Sequence, residues 1–155
     1  MTANPTADLD ARSPQSADSS PTVRQPLTTP VIVAGAASVV AGIVHYAATA
    51  DHLPEWPLAA VLFTLAGAFQ IVWPAALRTG SRSGVWIAGL VVNTAIVSGW
   101  ALSRSVGLPI GRHSDAPESV GALDTVSVLA ELVVIVVAIL ALYRSARSAR
   151  SSTEK

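Results

Sequence analysis

Apolar side chains crowd into four runs along this chain: Val31 to Ala50, Pro57 to Leu77, Val85 to Ser103 and Asp124 to Tyr143. Charged residues fall almost entirely between and outside them. Each run is close to the ~20 residues with which a helix, rising about 1.5 Å per residue, crosses the roughly 30 Å hydrocarbon core of a bilayer. The pattern predicts an all-α integral membrane protein, an antiparallel four-helix transmembrane bundle over residues 31–145. Residues 1–30, rich in Ser, Thr, Pro, Ala and Asp, hold too little apolar surface to order themselves and predict a disordered cytoplasmic tail. Residues 146–155 predict a short basic cytoplasmic tail.

Composition sharpens this picture. Hydrophobic residues make up 51% of the chain and charged residues 13%, too few for the surface of a soluble domain of this size. The formal net charge of zero conceals an asymmetry. Arg12, Arg24, Arg78, Arg82, Arg144, Arg147, Arg150 and Lys155 lie on one side of an even-span arrangement, and only Arg104 and Arg112 on the other. The positive-inside rule then puts both termini in the cytoplasm and turns the loops 51–56 and 104–123 outward, in a plasma membrane of bacterial inner-membrane type. Trp56, Trp100 and Tyr46 fall at the expected outer boundary, and Trp73, Trp86 and Tyr143 at the inner one, the positions of interfacial aromatic belts. An A-x-A triplet at Ala48, Thr49 and Ala50 is a weak cleavage signal, because His45 and Tyr46 interrupt the apolar core before it. The first run is read as a retained span.

Several chemistries are excluded by residues the chain lacks. It has no cysteine, hence no disulfide, thiolate metal site or thiol exchange. It has no Gly-rich phosphate loop, zinc-protease helix or nucleophile elbow. No basic surface suits a nucleic acid.

The informative residues are the polar ones inside the apolar runs, because such groups are costly in lipid and turn toward the bundle interior or a wet cavity. Ser38, His45, Thr49 and His52 share one face of the first helix, where Ala34 and Gly42 also let a neighbour approach closely. Gln70 lies in the second run. Asn93 lies near the middle of the third, with Trp100 and Arg104 following on its face. Asp124, Ser127 or Val128, and Glu131 form a stripe on the fourth, with Glu131 roughly 10 Å below the membrane edge. A carboxylate at that depth requires a proton, a cation or water, and His45 at similar depth is its natural partner. Asp115 and Glu118, flanking Pro117, resemble a capped start that would extend the fourth helix above the surface. Pro74 predicts a kink near the end of the second helix.

All three histidines and six of the ten acids lie in the outer half, with Asp51, His52, Glu55 and His113 in the loops. One reading is a polar pocket in which His45, His52 and Glu131, aided by Asp51 or Glu55, bind a small ligand or a divalent metal through imidazole and carboxylate. Another is a structural network, His45 to Glu131 and Gln70 to Asn93, that fixes helix packing in an accessory subunit of a membrane complex or a homo-oligomer. A proton relay, or an intramembrane enzyme using His45 and Glu131 as base and acid, is a third. Haem is disfavoured, since His52 lies about 10.5 Å from His45 along one helix face and the two cannot oppose each other across an iron.

Taken together, His45, His52, Glu55, Trp56 and Gln70, then Asn93, Trp100, Arg104, Gly107 and Pro109, then Asp124 and Glu131, resemble the pattern of small four-span membrane proteins of actinobacterial type. The resemblance covers residues 40–135. It implies the span count and points to the same polar residues without a chemistry.

Overall fold

A computed structural model describes residues 28–79, 83–108, 110 and 116–153. The expected N-terminal tail, Arg112, His113 and Asp115 lie outside the described residues. Four helices account for nearly everything described: α1 (Thr29–His52), α2 (Pro57–Arg78), α3 (Ser83–Ser105) and α4 (Ala122–Thr153). Each contains one of the four apolar runs, and each is long and apolar enough to cross a membrane.

Local sequence sets the helix ends. Pro30 and Pro57 occupy first-turn positions, where a missing N–H costs nothing because no carbonyl awaits it. The α1–α2 turn is tight, with the Leu53 N–H donating to the Thr49 carbonyl at 3.0 Å and the Trp56 N–H to the His52 carbonyl at 2.8 Å. Gly107, at φ 80°, reverses the chain after α3, and a side chain there would run into the backbone of Ala116. α4 starts later than the sequence suggests, because the segment from Pro117 to Gly121 is not helical. The start is capped from within instead: the Asp124 carboxylate accepts the Gly121 N–H at 3.0 Å. That is the reciprocal acid contact expected of Glu118, moved six residues on. At its other end α4 runs unbroken through Arg144, Arg147 and Arg150 to Thr153, so the basic tail continues the helix.

The bundle is up-and-down. α1 packs against α2 on one side and α4 on the other, α3 packs against α4, and α2 and α3 meet along a much looser seam. Close approach of α1 and α2 rests on Gly42 and Gly67: a Cβ on Gly42 would lie 3.1 Å from the Gly67 carbonyl oxygen, and one on Gly67 equally close to that of Gly42. α2 continues through Pro74 as one helix, with Gly35 of α1 opposite the proline ring. Outside the bundle, large apolar side chains such as Ile43, Leu65, Val72 and Leu129 stand exposed around the helices. A water-soluble monomer does not present such continuous apolar surface, whereas lipid covers it without cost.

The half of the bundle nearest the chain termini is solid. Trp73, Trp86, Ala34, Leu77, Val134 and Ala138 form its core. The Trp73 indole lies against Gly89, where a Cβ would fall 2.3 Å from the ring, and its N–H donates to the Val85 carbonyl at 2.8 Å. Trp86 packs edge-on against it at 5.9 Å between centroids. The belt expected at this end is therefore corrected for both tryptophans: they are 4% and 3% exposed and serve the core, because Gly89 makes room for one indole and the second packs against it. Tyr143 is exposed.

Candidate functional site

Midway along the bundle, polar residues from all four helices converge. The Ser38 hydroxyl of α1 donates to the Gln70 backbone carbonyl of α2 at 2.8 Å. The Asn93 amide group donates to the Gly89 carbonyl at 2.8 Å, which turns the Asn93 Oδ1 toward α2. Gln70 must meet that oxygen with its own NH2, and does so at 3.2 Å while also donating to Glu131 Oε1 at 3.1 Å. The Ser127 hydroxyl donates to the same carboxyl oxygen at 3.3 Å. Gln70 and Asn93 are fully buried and Glu131 is 1% exposed. The Gln70 amide is thus the hub, and fixing its NH2 on two acceptors leaves its own Oε1 buried with no partner among the described residues.

His45 joins this group from α1. Its Nε2 lies 3.7 Å from Glu131 Oε1, within ion-pair reach but longer than a hydrogen bond. Its Nδ1 is 3.0 Å from the Ala41 carbonyl, and His52 Nδ1 is 2.8 Å from the Ala48 carbonyl. A carbonyl oxygen only accepts, so Nδ1 carries the proton in both rings, and in the neutral form of either imidazole Nε2 is the acceptor. Both rings rest on Phe63 of α2, at 5.6 Å and 4.8 Å between centroids.

Above this layer, toward the α1–α2 and α3–α4 connections, the bundle is hollow. A cavity of about 420 Å³ lies among the four helices, with His45, Ser127 and Glu131 at its deep end. Its walls are mostly apolar, and His52, Trp56, Trp100, Arg104, Glu118 and Asp124 stand at its other end. The chain folds back to build that rim: the Glu118 N–H donates to the Ser103 carbonyl at 3.1 Å, bringing the Glu118 carboxylate to Arg104. Arg104 Nη2 donates to Asp124 at 2.7 Å and Nη1 to the Ser103 hydroxyl at 2.9 Å. Arg104 Nε and the Trp100 indole N–H are buried without a hydrogen-bond partner among the described residues.

Of the residues picked out from sequence, His45, His52, Arg104, Asp124 and Glu131 line one cavity. Gln70 and Asn93 lie in the hydrogen-bonded layer beneath it. Asp51, in the last turn of α1, and Glu55, on the α1–α2 turn, are exposed and take no part in its wall. The structure does not bring the candidate metal ligands His45, His52 and Glu131 together. Among the described residues no three His, Asp or Glu side chains are placed to hold an ion. His45 and His52 sit two turns apart on α1, each with Nδ1 committed one turn back and with the Phe63 ring against both. Sequence reasoning also missed Phe63, and Glu118 as a partner of Arg104. Phe63 precedes Gln70 by seven residues and so shares its face of α2, a signal present but unused. Glu118 reaches Arg104 only because of the turn at Gly107, and residue spacing carries no trace of that. Compared with protein families, curated proteins and solved structures, the chain has no match in any of the three.

Proposed function

We propose that this multi-pass membrane protein is a non-enzymatic binding protein that holds a small organic molecule in the hollow half of its bundle. In this reading the chain termini are cytoplasmic and the cavity lies in the outer half of the plasma membrane, as the Arg and Lys distribution favours. The observation that carries it is the cavity of about 420 Å³, inside the roughly 300–1,000 Å³ of small-molecule sites, with apolar walls and a few convergent polar groups. In their neutral form the His45 and His52 imidazoles offer Nε2 acceptors, and the Trp100 and Arg104 side chains line the same cavity.

The test is the small-molecule content of the purified protein. Extraction and mass spectrometry of the detergent-purified parent are expected to yield one organic molecule per chain, and Ala48→Phe, which fills the cavity from α1, is expected to lose it while remaining monodisperse. Parent protein with no bound organic molecule overturns the proposal. So does stoichiometric metal that disappears in Glu131→Gln, since the occupant would then be an ion.

A second reading draws on a separate observation, the burial of Gln70, Asn93 and Glu131 in one hydrogen-bonded layer. Such a layer fixes helix register, as an accessory subunit of a membrane complex requires. Under it Glu131→Gln and His45→Ala lower thermal stability, and the protein co-purifies with a partner. Under the binding reading the same variants stay folded and release the small molecule.

A further inference from the structure

We infer that the cavity opens sideways into the bilayer between α2 and α3, and that its occupant is a neutral, single-chain lipid. This rests on the binding role proposed above and adds the route and the ligand class. Several cavity-lining residues are also surface residues: Leu62 on α2, and Ala95 and Gly99 on α3, are exposed on the flank of the bundle while lining the cavity. They border the α2–α3 seam, the one neighbouring pair that packs loosely. Ala59, Ala66, Ala95 and Gly99 leave the seam without a large side chain at those positions, and a Cβ on Gly99 would meet nothing within 4 Å. If the flank faces hydrocarbon, a molecule dissolved in the membrane reaches the cavity without crossing water.

The polar groups select the head. An anionic head is disfavoured, because the Arg104 charge is already opposed by the two carboxylates of Glu118 and Asp124. The volume suits one chain and is small for a two-chain phospholipid.

Photolabelling in vesicles tests this. The full-length protein is reconstituted in phosphatidylcholine with the methyl ester of a long-chain fatty acid bearing a diazirine in its chain, and adducts are mapped by mass spectrometry. Saturable labelling is expected within 59–66 and 95–104, competed by the unlabelled ester and much less by the free fatty acid. Gly99→Trp is expected to abolish it; should that variant misfold, Ala95→Leu closes the same seam. Labelling spread over all lipid-facing surfaces, unsaturable and indifferent to both seam variants, overturns lateral access. Equal competition by the free acid overturns the head-group assignment. If lateral labelling fails while purified protein still yields a small molecule that Ala48→Phe loses, this inference fails alone and the ligand arrives from water. If neither is seen, the binding role fails with it.

Discussion

The two halves of this bundle are built from the same four helices and differ in what fills the space between them. Near the termini, Trp73 and Trp86 occupy the interior and Gly89 yields its side-chain volume to an indole. Toward the α1–α2 and α3–α4 connections the matching positions on α1, α2 and α3 are Ala48, Ala59, Ala66, Ala95 and Gly99, and the space stays open. Between them lies the Gln70, Asn93 and Glu131 layer, a floor under the cavity and a lid over the core. A protein that needed only to hold four helices together has no use for the difference. Large residues fill one half, and the other stays open with the volume that a ligand site requires.

The contrast can be broken from the solid side first. Gly89→Ala places a methyl group inside the Trp73 ring system, and with neither α3 nor the indole free to retreat, the loss of stability is expected to reach ~3 kcal/mol or more. Thermal unfolding in detergent measures it; a change under ~1 kcal/mol would show that this half is not close-packed. The floor comes next. Gln70→Leu strands Glu131 and Asn93 without their shared donor and is expected to cost about 1–3 kcal/mol. Adding Glu131→Leu to it is expected to recover part of that loss, since removing both partners leaves less unsatisfied than removing one. A double variant less stable than the single one would mean that the carboxyl group holds the bundle through other contacts. The rim is weakest. Arg104→Met is expected to cost about 1 kcal/mol or less, because Glu118 and Asp124 are each about a third exposed and water takes over their charge. Its larger effect is on retained small molecule, read by the same extraction assay.

The four helices are legible in the sequence because bilayer thickness imposes one length and one composition on each span, leaving little for packing to decide. The buried polar residues are legible for a related reason: Ser38, His45, Gln70, Asn93 and Glu131 are expensive in lipid and turn inward. Their pairing is only partly so. The sequence suggests His45 with Glu131 and Gln70 with Asn93, and the structure joins both pairs through one amide, a contact between opposite corners of the bundle. What escapes is set by neighbours distant in sequence. Trp73 and Trp86 sit at a depth typical of interfacial aromatics, and only the groove at Gly89 decides that one of them is core and that the other can pack on it. The start of α4 escapes too, because the Asp115 and Glu118 spacing and the Gly121 and Asp124 spacing are equally good caps in one dimension. Glu118 is instead drawn to Arg104.

The most direct test of a solid half and a hollow one makes the same substitution in each. Ala138 is fully buried in the core and Ala48 lines the cavity, both on helices that pack along the bundle axis. Thermal stability of Ala138→Phe and Ala48→Phe, measured side by side in detergent, is predicted to fall by roughly 1–3 kcal/mol or more for the first and to change little for the second, which has space to receive the ring. Equal, large losses at both positions would contradict the account, because the outer half would then be as full as the inner one and would have no room for a ligand.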